Sequence, residues 1–302
     1  MEKPHKAVLC ENLIKIYKTK DFEVMALQGL DLEIGAGEFI AIIGSSGSGK
    51  SSLLNILGGL DRPTAGQLSI NGQNMLAFTD RELIKYKRES VGFVWQNNAR
   101  NLIPFLSVQD NIELPLVLST ASGRRSRSME LMELVGLVSK RKSKVYELSG
   151  GEQQRAAIAV AMAVRPGLIL ADEPTGSVDT HTANTILDVF RELHNQGHTI
   201  IIVTHDLAIS HRVDRVVAIR DGRVSSEFLR QRSYADALDK VGDLRRAAVK
   251  AEHEEFLVLD KVGRVQLPAK FLQSLDIVGG KDKVCAELDD DRIVLIKKTE
   301  DM

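Results

Sequence analysis

The stretch Gly44-Ser45-Ser46-Gly47-Ser48-Gly49-Lys50-Ser51 constrains this chain more than any other. It follows the apolar run Phe39-Ile40-Ala41-Ile42-Ile43 and opens the helical pattern Ser51-Ser52-Leu53-Leu54-Asn55-Ile56-Leu57. Strand, glycine-rich loop and helix in that order make a phosphate cradle, because free backbone N–H groups at a helix N-terminus suit an anion. Gly44, Gly47 and Gly49 permit backbone angles and close approaches that side chains forbid. Lys50 is placed to reach β- and γ-phosphates, and Ser51 to bind Mg²⁺; Ser45, Ser46, Ser48 and Ser52 complete the candidate loop.

Other segments fit the same architecture. Leu168-Ile169-Leu170-Ala171 reads as a buried strand ending in Asp172-Glu173, and Thr199-Ile200-Ile201-Ile202-Val203 as another. Helical patterns run over about 153–163 and 181–195. Val24 to Leu32 is strand-like, and Asp221-Gly222 between two short apolar runs signals a hairpin. Residues 81–90 and 121–147 are charged and read as exposed helices and loops. Strands alternating with helices imply an α/β fold with a parallel sheet covered on both faces. Carboxylates at the carboxyl edge of such a sheet lie where these folds bind ligands, so Asp172 is a candidate Mg²⁺ holder, through water.

The bulk properties bound the rest. A chain of 302 residues has room for a large domain and a small one. Its net charge of −1 gives no global pull toward nucleic acid or anionic membrane. Cys10 and Cys285 lack metal-ligand spacing and read as free thiols in a reducing compartment. The first residues show no secretory h-region, and no apolar run approaches the roughly 20 residues needed to span a bilayer. A membrane-spanning part, if the protein serves a membrane, belongs to another chain.

Between the phosphate loop and Asp172 stands Leu148-Ser149-Gly150-Gly151-Glu152. This pentapeptide resembles the signature of ATP-binding cassette (ABC) ATPases, and the resemblance extends over about residues 7–224. It implies an ABC-type P-loop ATPase over 1–225: a RecA-like α/β core, an antiparallel β subdomain and a helical subdomain at about 97–147. It implies ATP and Mg²⁺ as ligands and a homodimer as the working unit. Glu173 would polarise the attacking water. Gln96, in Phe93-Val94-Trp95-Gln96-Asn97, matches the Q-loop, which senses Mg²⁺ and couples to a transmembrane partner. His205, in Thr204-His205-Asp206, matches the switch histidine at the γ-phosphate. Asp179 matches the D-loop, and Tyr17 the aromatic that stacks on adenine. The signature would serve the ATP of the facing subunit. Two departures stand out: Ala159-Val160-Ala161 replaces the usual Ala-Arg-Ala, and Ser177-Val178 replaces Asn-Leu. Neither removes a chemical group from the site.

Gly58-Gly59-Leu60-Asp61-Arg62-Pro63-Thr64-Ala65-Gly66, Asn101-Leu102-Ile103-Pro104 and Asp110-Asn111-Ile112-Glu113-Leu114-Pro115 look like the MacB/LolD/FtsE branch. That branch implies a separate FtsX/MacB-type permease, a peripheral place on the cytoplasmic face of the inner membrane, and export or extraction of lipoprotein, lipid, peptide or drug, or mechanotransmission. The alternative from another class is a soluble ATP-dependent DNA-binding regulator.

That alternative draws on the C-terminal region. Residues 226–252 carry Phe228, Tyr234, Leu238, Val241 and Leu244 at helical spacing and read as an amphipathic connector. Leu259-Asp260-Lys261-Val262-Gly263-Arg264-Val265-Gln266-Leu267-Pro268-Ala269-Lys270 is similar to the AbrB/MazE/SpoVT swapped-hairpin family. The resemblance implies a small β-rich dimerisation domain at 253–300. It would hold a helix at Phe271–Leu275, a turn at Gly279–Asp282 and a final hairpin of Val284–Leu288 with Arg292–Ile296. Such domains commonly bind DNA. Here eleven acidic residues oppose eight basic ones over 253–302, a poor balance for phosphate contacts, so dimerisation or regulation is favoured over DNA.

Overall fold

The computed structural model describes residues 5–18, 22–97, 100–119, 122–230, 253–259, 263–267, 269–274, 276–277, 284–289 and 292–297. The chain divides into two compact units, Met1–Phe256 and Leu257–Met302.

The first unit is built on a seven-stranded sheet in the order β11-β10-β9-β3-β8-β7-β6. Its strands are β3 (Phe39–Ile43), β6 (Val91–Val94), β7 (Leu168–Asp172), β8 (Thr199–Thr204), β9 (Arg215–Arg220), β10 (Arg223–Arg230) and β11 (His253–Leu257). β6 through β9 and β3 pair in parallel. Period-two alternation then splits each strand between two cores. Phe39, Ala41, Ile169, Ala171, Ile200 and Ile202 face one apolar cluster with α5 (Gly150–Ala161) and α6 (Thr180–Asn195). Ile40, Ile42, Leu168, Leu170, Ile201 and Val203 face the other, with α1 (Lys50–Leu57). Burial on both faces explains why these strands read as unbroken apolar runs.

The second core is closed by a four-stranded antiparallel sheet, β2-β1-β4-β5, from β1 (Lys6–Lys18), β2 (Glu23–Gly35), β4 (Ala65–Ile70) and β5 (Gln73–Asn74). Between β6 and α5 lie α3 (Val108–Leu118) and α4 (Arg124–Leu134), whose Val108, Ile112, Leu116, Leu131 and Met132 join the first core. These three parts are the core, β subdomain and helical subdomain that the sequence implies. α2 (Asp80–Glu89) packs through Tyr86, whose hydroxyl donates to Leu57 O at 2.6 Å.

The Asp221-Gly222 turn is a hairpin, with φ of 48° and 71° and Arg220 paired to Arg223. β10 continues to Arg230, with Phe228 opposite Val216. Residues 226–230, read from sequence as the start of the amphipathic connector, are therefore strand: pairing with β9 overrides the helical spacing. The remaining connector positions, including Tyr234, Leu238, Val241 and Leu244, lie outside the described residues. β11, from His253, extends the seven-stranded sheet, and the division between the compact units falls after Phe256.

In the second unit, Leu259 bridges Val265, α7 spans Ala269–Ser274, and β12 (Val284–Asp289) pairs antiparallel with β13 (Arg292–Lys297). Asp260, Lys261, Val262, Pro268, Leu275 and the turn at Gly279–Asp282 lie outside the described residues. Among the described residues, no helix is long and apolar enough to cross a membrane.

Candidate active site

The phosphate loop connects β3 to α1, and its glycines are where geometry allows nothing larger. A Cβ on Gly44 would stand 2.3 Å from Ile219 O, and one on Gly49, at φ 102°, 2.4 Å from Ala26 O. Lys50 is buried, and its ammonium donates to Gly44 O at 2.8 Å and Ser45 O at 2.9 Å. Burial lowers its pKa, while the charges of Glu173 and Asp172 oppose that shift. The loop is thus curled around a desolvated cation, an arrangement that fits a polyanion.

β7 delivers the two carboxylates. Asp172 is its last residue, paired in register with Val203. Burial raises the Asp172 carboxyl, and neighbouring Glu173 raises it further; Lys50 and Arg100 pull the other way. Two adjacent carboxylates in a partly dry site fit a divalent cation, whose charge would relieve both terms.

Glu173 adopts φ 46°, a conformation that costs a non-glycine residue on the order of 1 kcal/mol or more. The turn aims its side chain back at β8. Its backbone N–H donates to Val203 O at 2.8 Å. Its carboxylate accepts from Thr204 Oγ1 at 2.9 Å and from the His205 backbone N–H at 3.0 Å, and meets His205 Nδ1 at 2.7 Å. Thr204 is itself fixed, accepting from Asp206 N at 3.1 Å.

Gln96 arrives from the neighbouring strand. Val94 pairs with Ala171, so the chain leaving β6 runs beside Asp172. Trp95 stacks on Phe93 at 3.9 Å, and the Arg100 guanidinium lies 4.7 Å from the Trp95 ring centroid; the Trp95 backbone N–H donates to Asn101 Oδ1.

These parts enclose one cavity of about 710 Å³, lined by Tyr17, Val24, Ala26, Ser46, Gly47, Gly49, Lys50, Ser51, Ser52, Gln96, Asp172, Glu173, Val203 and His205. Residues from β1, β2, the phosphate loop, β7, β8 and the Gln96 segment converge there. Gly44, Ser45 and Ser48 shape the loop from behind; Ser48 Oγ is buried without a partner. Thr204, Val24 and Ala26 were missed from the sequence. The available signal for Thr204 was a hydroxyl residue at a strand end immediately before a candidate histidine.

The signature and D-loop residues lie elsewhere. Ser149 caps α5, accepting from Glu152 N, while Glu152 accepts from Ser149 N at 2.8 Å. Asp179 caps α6 and accepts from Thr182 Oγ1 at 2.6 Å. None of Leu148, Ser149, Gly150, Gly151, Glu152 or Asp179 lines the cavity of its own chain.

The profile of the ABC transporter family matches residues 27–176. An ABC transporter ATP-binding protein of Thermotoga maritima is 46% identical over 224 residues, which are 74% of this chain and 95% of that protein. The chain belongs to the ABC transporter ATP-binding family. YvrO of Bacillus subtilis, another ABC transporter ATP-binding protein, is 43% identical over 78% of this chain and 98% of its own length. The macrolide export ATP-binding/permease protein MacB of Hyphomonas neptunium is 42% identical over 75% of this chain, but the match spans only 35% of that longer protein. Among solved structures, a dimeric ATP-binding cassette in a post-hydrolysis state with ADP and Pi superposes with a TM-score of 0.67 at 40% identity, over 73% of this chain and 97% of that one. Membership of this family makes the protein an ATP-binding ATPase.

Proposed function

We propose that this chain is the ATP-hydrolysing subunit of an ABC exporter or mechanotransmission complex, working as a pair of copies on a separate permease at the cytoplasmic face of the inner membrane. The observation that carries the chemistry is the Glu173 carboxylate, held by Thr204 and His205 inside the cavity that also holds Lys50 and Asp172.

In this reading the phosphate loop, Gly44 to Ser52, binds the triphosphate, and Tyr17 stacks on adenine. Ser51, Asp172 and Gln96 would hold Mg²⁺, which would supply charge neutralisation to the phosphates. Glu173 accepts a hydrogen bond from water, orients it at the γ-phosphorus and takes its proton as general base; as the new P–O bond forms, the bond to the β–γ bridging oxygen breaks, leaving ADP and phosphate. His205, bonded to Glu173 Oε1, fixes that carboxylate and reaches the γ-phosphate. The signature, Leu148 to Glu152, and Asp179 complete the site of the facing copy. Their absence from the cavity of their own chain supports a role in trans, where a capped helix N-terminus offers N–H groups to an anion.

The permease is of the FtsX/MacB type and the branch that of MacB, LolD and FtsE; the branch motifs and the match to MacB support this. The relatives are transporter ATPases, and the DNA-regulator reading gains nothing from them. We further propose that the C-terminal unit is an AbrB-like dimerisation module.

Glu173→Gln tests the chemistry. The expected result is retained ATP binding with turnover lowered at least about a hundredfold, the scale of losing a positioned general base. Turnover near the wild-type rate would remove Glu173 from the mechanism.

A further inference from the structure

The base side of the cavity contains a device that the phosphate chemistry does not use. Tyr17, Val24 and Ala26 line it there. Tyr17 is tied at its edge: its hydroxyl donates to Asp61 Oδ2 at 2.9 Å and lies 3.4 Å from Ser52 Oγ. The ring is also covered, because the Lys15 ammonium sits 4.7 Å from its centroid. Lys15 in turn is anchored to Asp61 Oδ1 at 2.6 Å and Arg62 O at 2.8 Å. One carboxylate therefore holds both the ring's hydroxyl and the cation lying over the ring. Although burial pushes the Asp61 carboxyl up, hydrogen bonds from Lys15 and Tyr17 hold it below its ordinary range. Tyr17 lines the cavity, whereas Lys15 does not.

Among the described lining residues, those contributed by β1 and β2 carry no amide or carboxylate with which to read a base edge. A fixed aromatic face beside an aliphatic wall recognises a base by stacking, and stacking is tolerant of base identity. We infer that Asp61 is a positioning residue for the nucleobase: it presets the Tyr17 ring as a platform that accepts a purine by its face and not by its edge. This rests on the reading of Tyr17 as the stacking residue.

Three variants of the full chain test it, with kcat and KM measured for MgATP and MgGTP. Tyr17→Phe keeps the ring and deletes the hydroxyl, with its bond to Asp61 and its long contact to Ser52. Asp61→Ala deletes the Tyr17–Asp61 bond from the other side, and Tyr17→Ala deletes the platform. The expected result is a KM raised about fivefold by Tyr17→Phe and by Asp61→Ala, the scale of one hydrogen bond, with kcat unchanged and the same factor for both nucleotides. Asp61→Asn, which keeps an acceptor, should recover most of the loss. In a Tyr17→Ala background, Asp61→Ala should add nothing. If Tyr17→Ala leaves both KM values unchanged, the stacking reading fails, and this inference with it. If Tyr17→Ala raises KM but Tyr17→Phe does not, the stacking reading survives and the role of Asp61 is overturned. Additive losses in the double variant, or a loss confined to ATP, would also overturn it.

Discussion

Glu173 shows how much of a catalytic group lies in its neighbours. A glutamate after Asp172 could point to solvent. Instead its φ of 46° and three contacts to Thr204 and His205 fix both carboxylate oxygens. The Thr204 hydroxyl is fully buried and serves two partners, donating to Glu173 and accepting from Asp206 N. Thr204→Val keeps the shape and removes both bonds. Losing a buried partner of a charged group costs about 1.5–3 kcal/mol, so we expect kcat to fall by one to two orders of magnitude while the KM for ATP holds. A rise in KM with kcat intact would place Thr204 in binding instead. Lys50 and Asp172 were legible from the strands they follow or end, whereas Glu173, Gln96 and His205 were legible only through the resemblance to ABC ATPases; all five line the cavity. Thr204, Lys15 and Asp61 were not assigned, because what they do depends on contacts that span up to 47 residues, which spacing along the chain does not encode.

At the scale of elements, two helices meet where the signature and D-loop residues lie. The sequence pattern places this helix from about Gln153, yet α5 begins at Gly150. The Ser149–Glu152 capping box explains the earlier start, and its Ser-x-x-Glu spacing was present in the sequence. Gly150 and Gly151 then differ sharply. A Cβ on Gly150 meets nothing within 4 Å, whereas one on Gly151 would lie 2.1 Å from Thr182 Cγ2. Thr182 cannot yield freely, because its hydroxyl is bonded to Asp179, the cap of α6. Gly151→Ala should therefore loosen the junction of α5 with α6. Overpacking of this kind costs about 1–3 kcal/mol, and we expect a melting temperature lowered by several degrees. Gly150→Ala should leave it within about a degree, since alanine is the better helix former. Thermal melts of the two variants side by side decide the matter; equal shifts would show that the contact with Thr182 relaxes without cost. The same competition between pattern and partner explains residues 226–230, where pairing with β9 outweighed a helical spacing.

For the whole molecule, the question is what the second unit does for the first. Its described hairpin leaves Ile293 73% exposed on one face and Val294 and Ile296 38% and 45% exposed on the other. A two-stranded hairpin with apolar residues on both faces is marginal in water by itself. In the proposed function the ATP site is also completed by a second copy, whose signature would face it; the signature does not line the cavity of its own chain. Under the proposed dimerisation role one occupant would satisfy both demands: the same unit of another copy, packed on the hairpin and keeping two cassettes together between ATP cycles. Such tethering raises the effective concentration of the facing cassette, to the millimolar range for short linkers, without adding a contact at either ATP site. A chain ending after Val258, which keeps β11 in the cassette's sheet, separates the two sources of pairing. Light scattering without nucleotide should find the full chain dimeric and the shortened chain monomeric. Adding ATP to the shortened chain carrying Glu173→Gln should restore the dimer, because the cassettes would then pair through nucleotide alone. A shortened chain that stays dimeric without nucleotide would mean that the cassettes hold each other, and the C-terminal unit would have to be explained by something other than pairing.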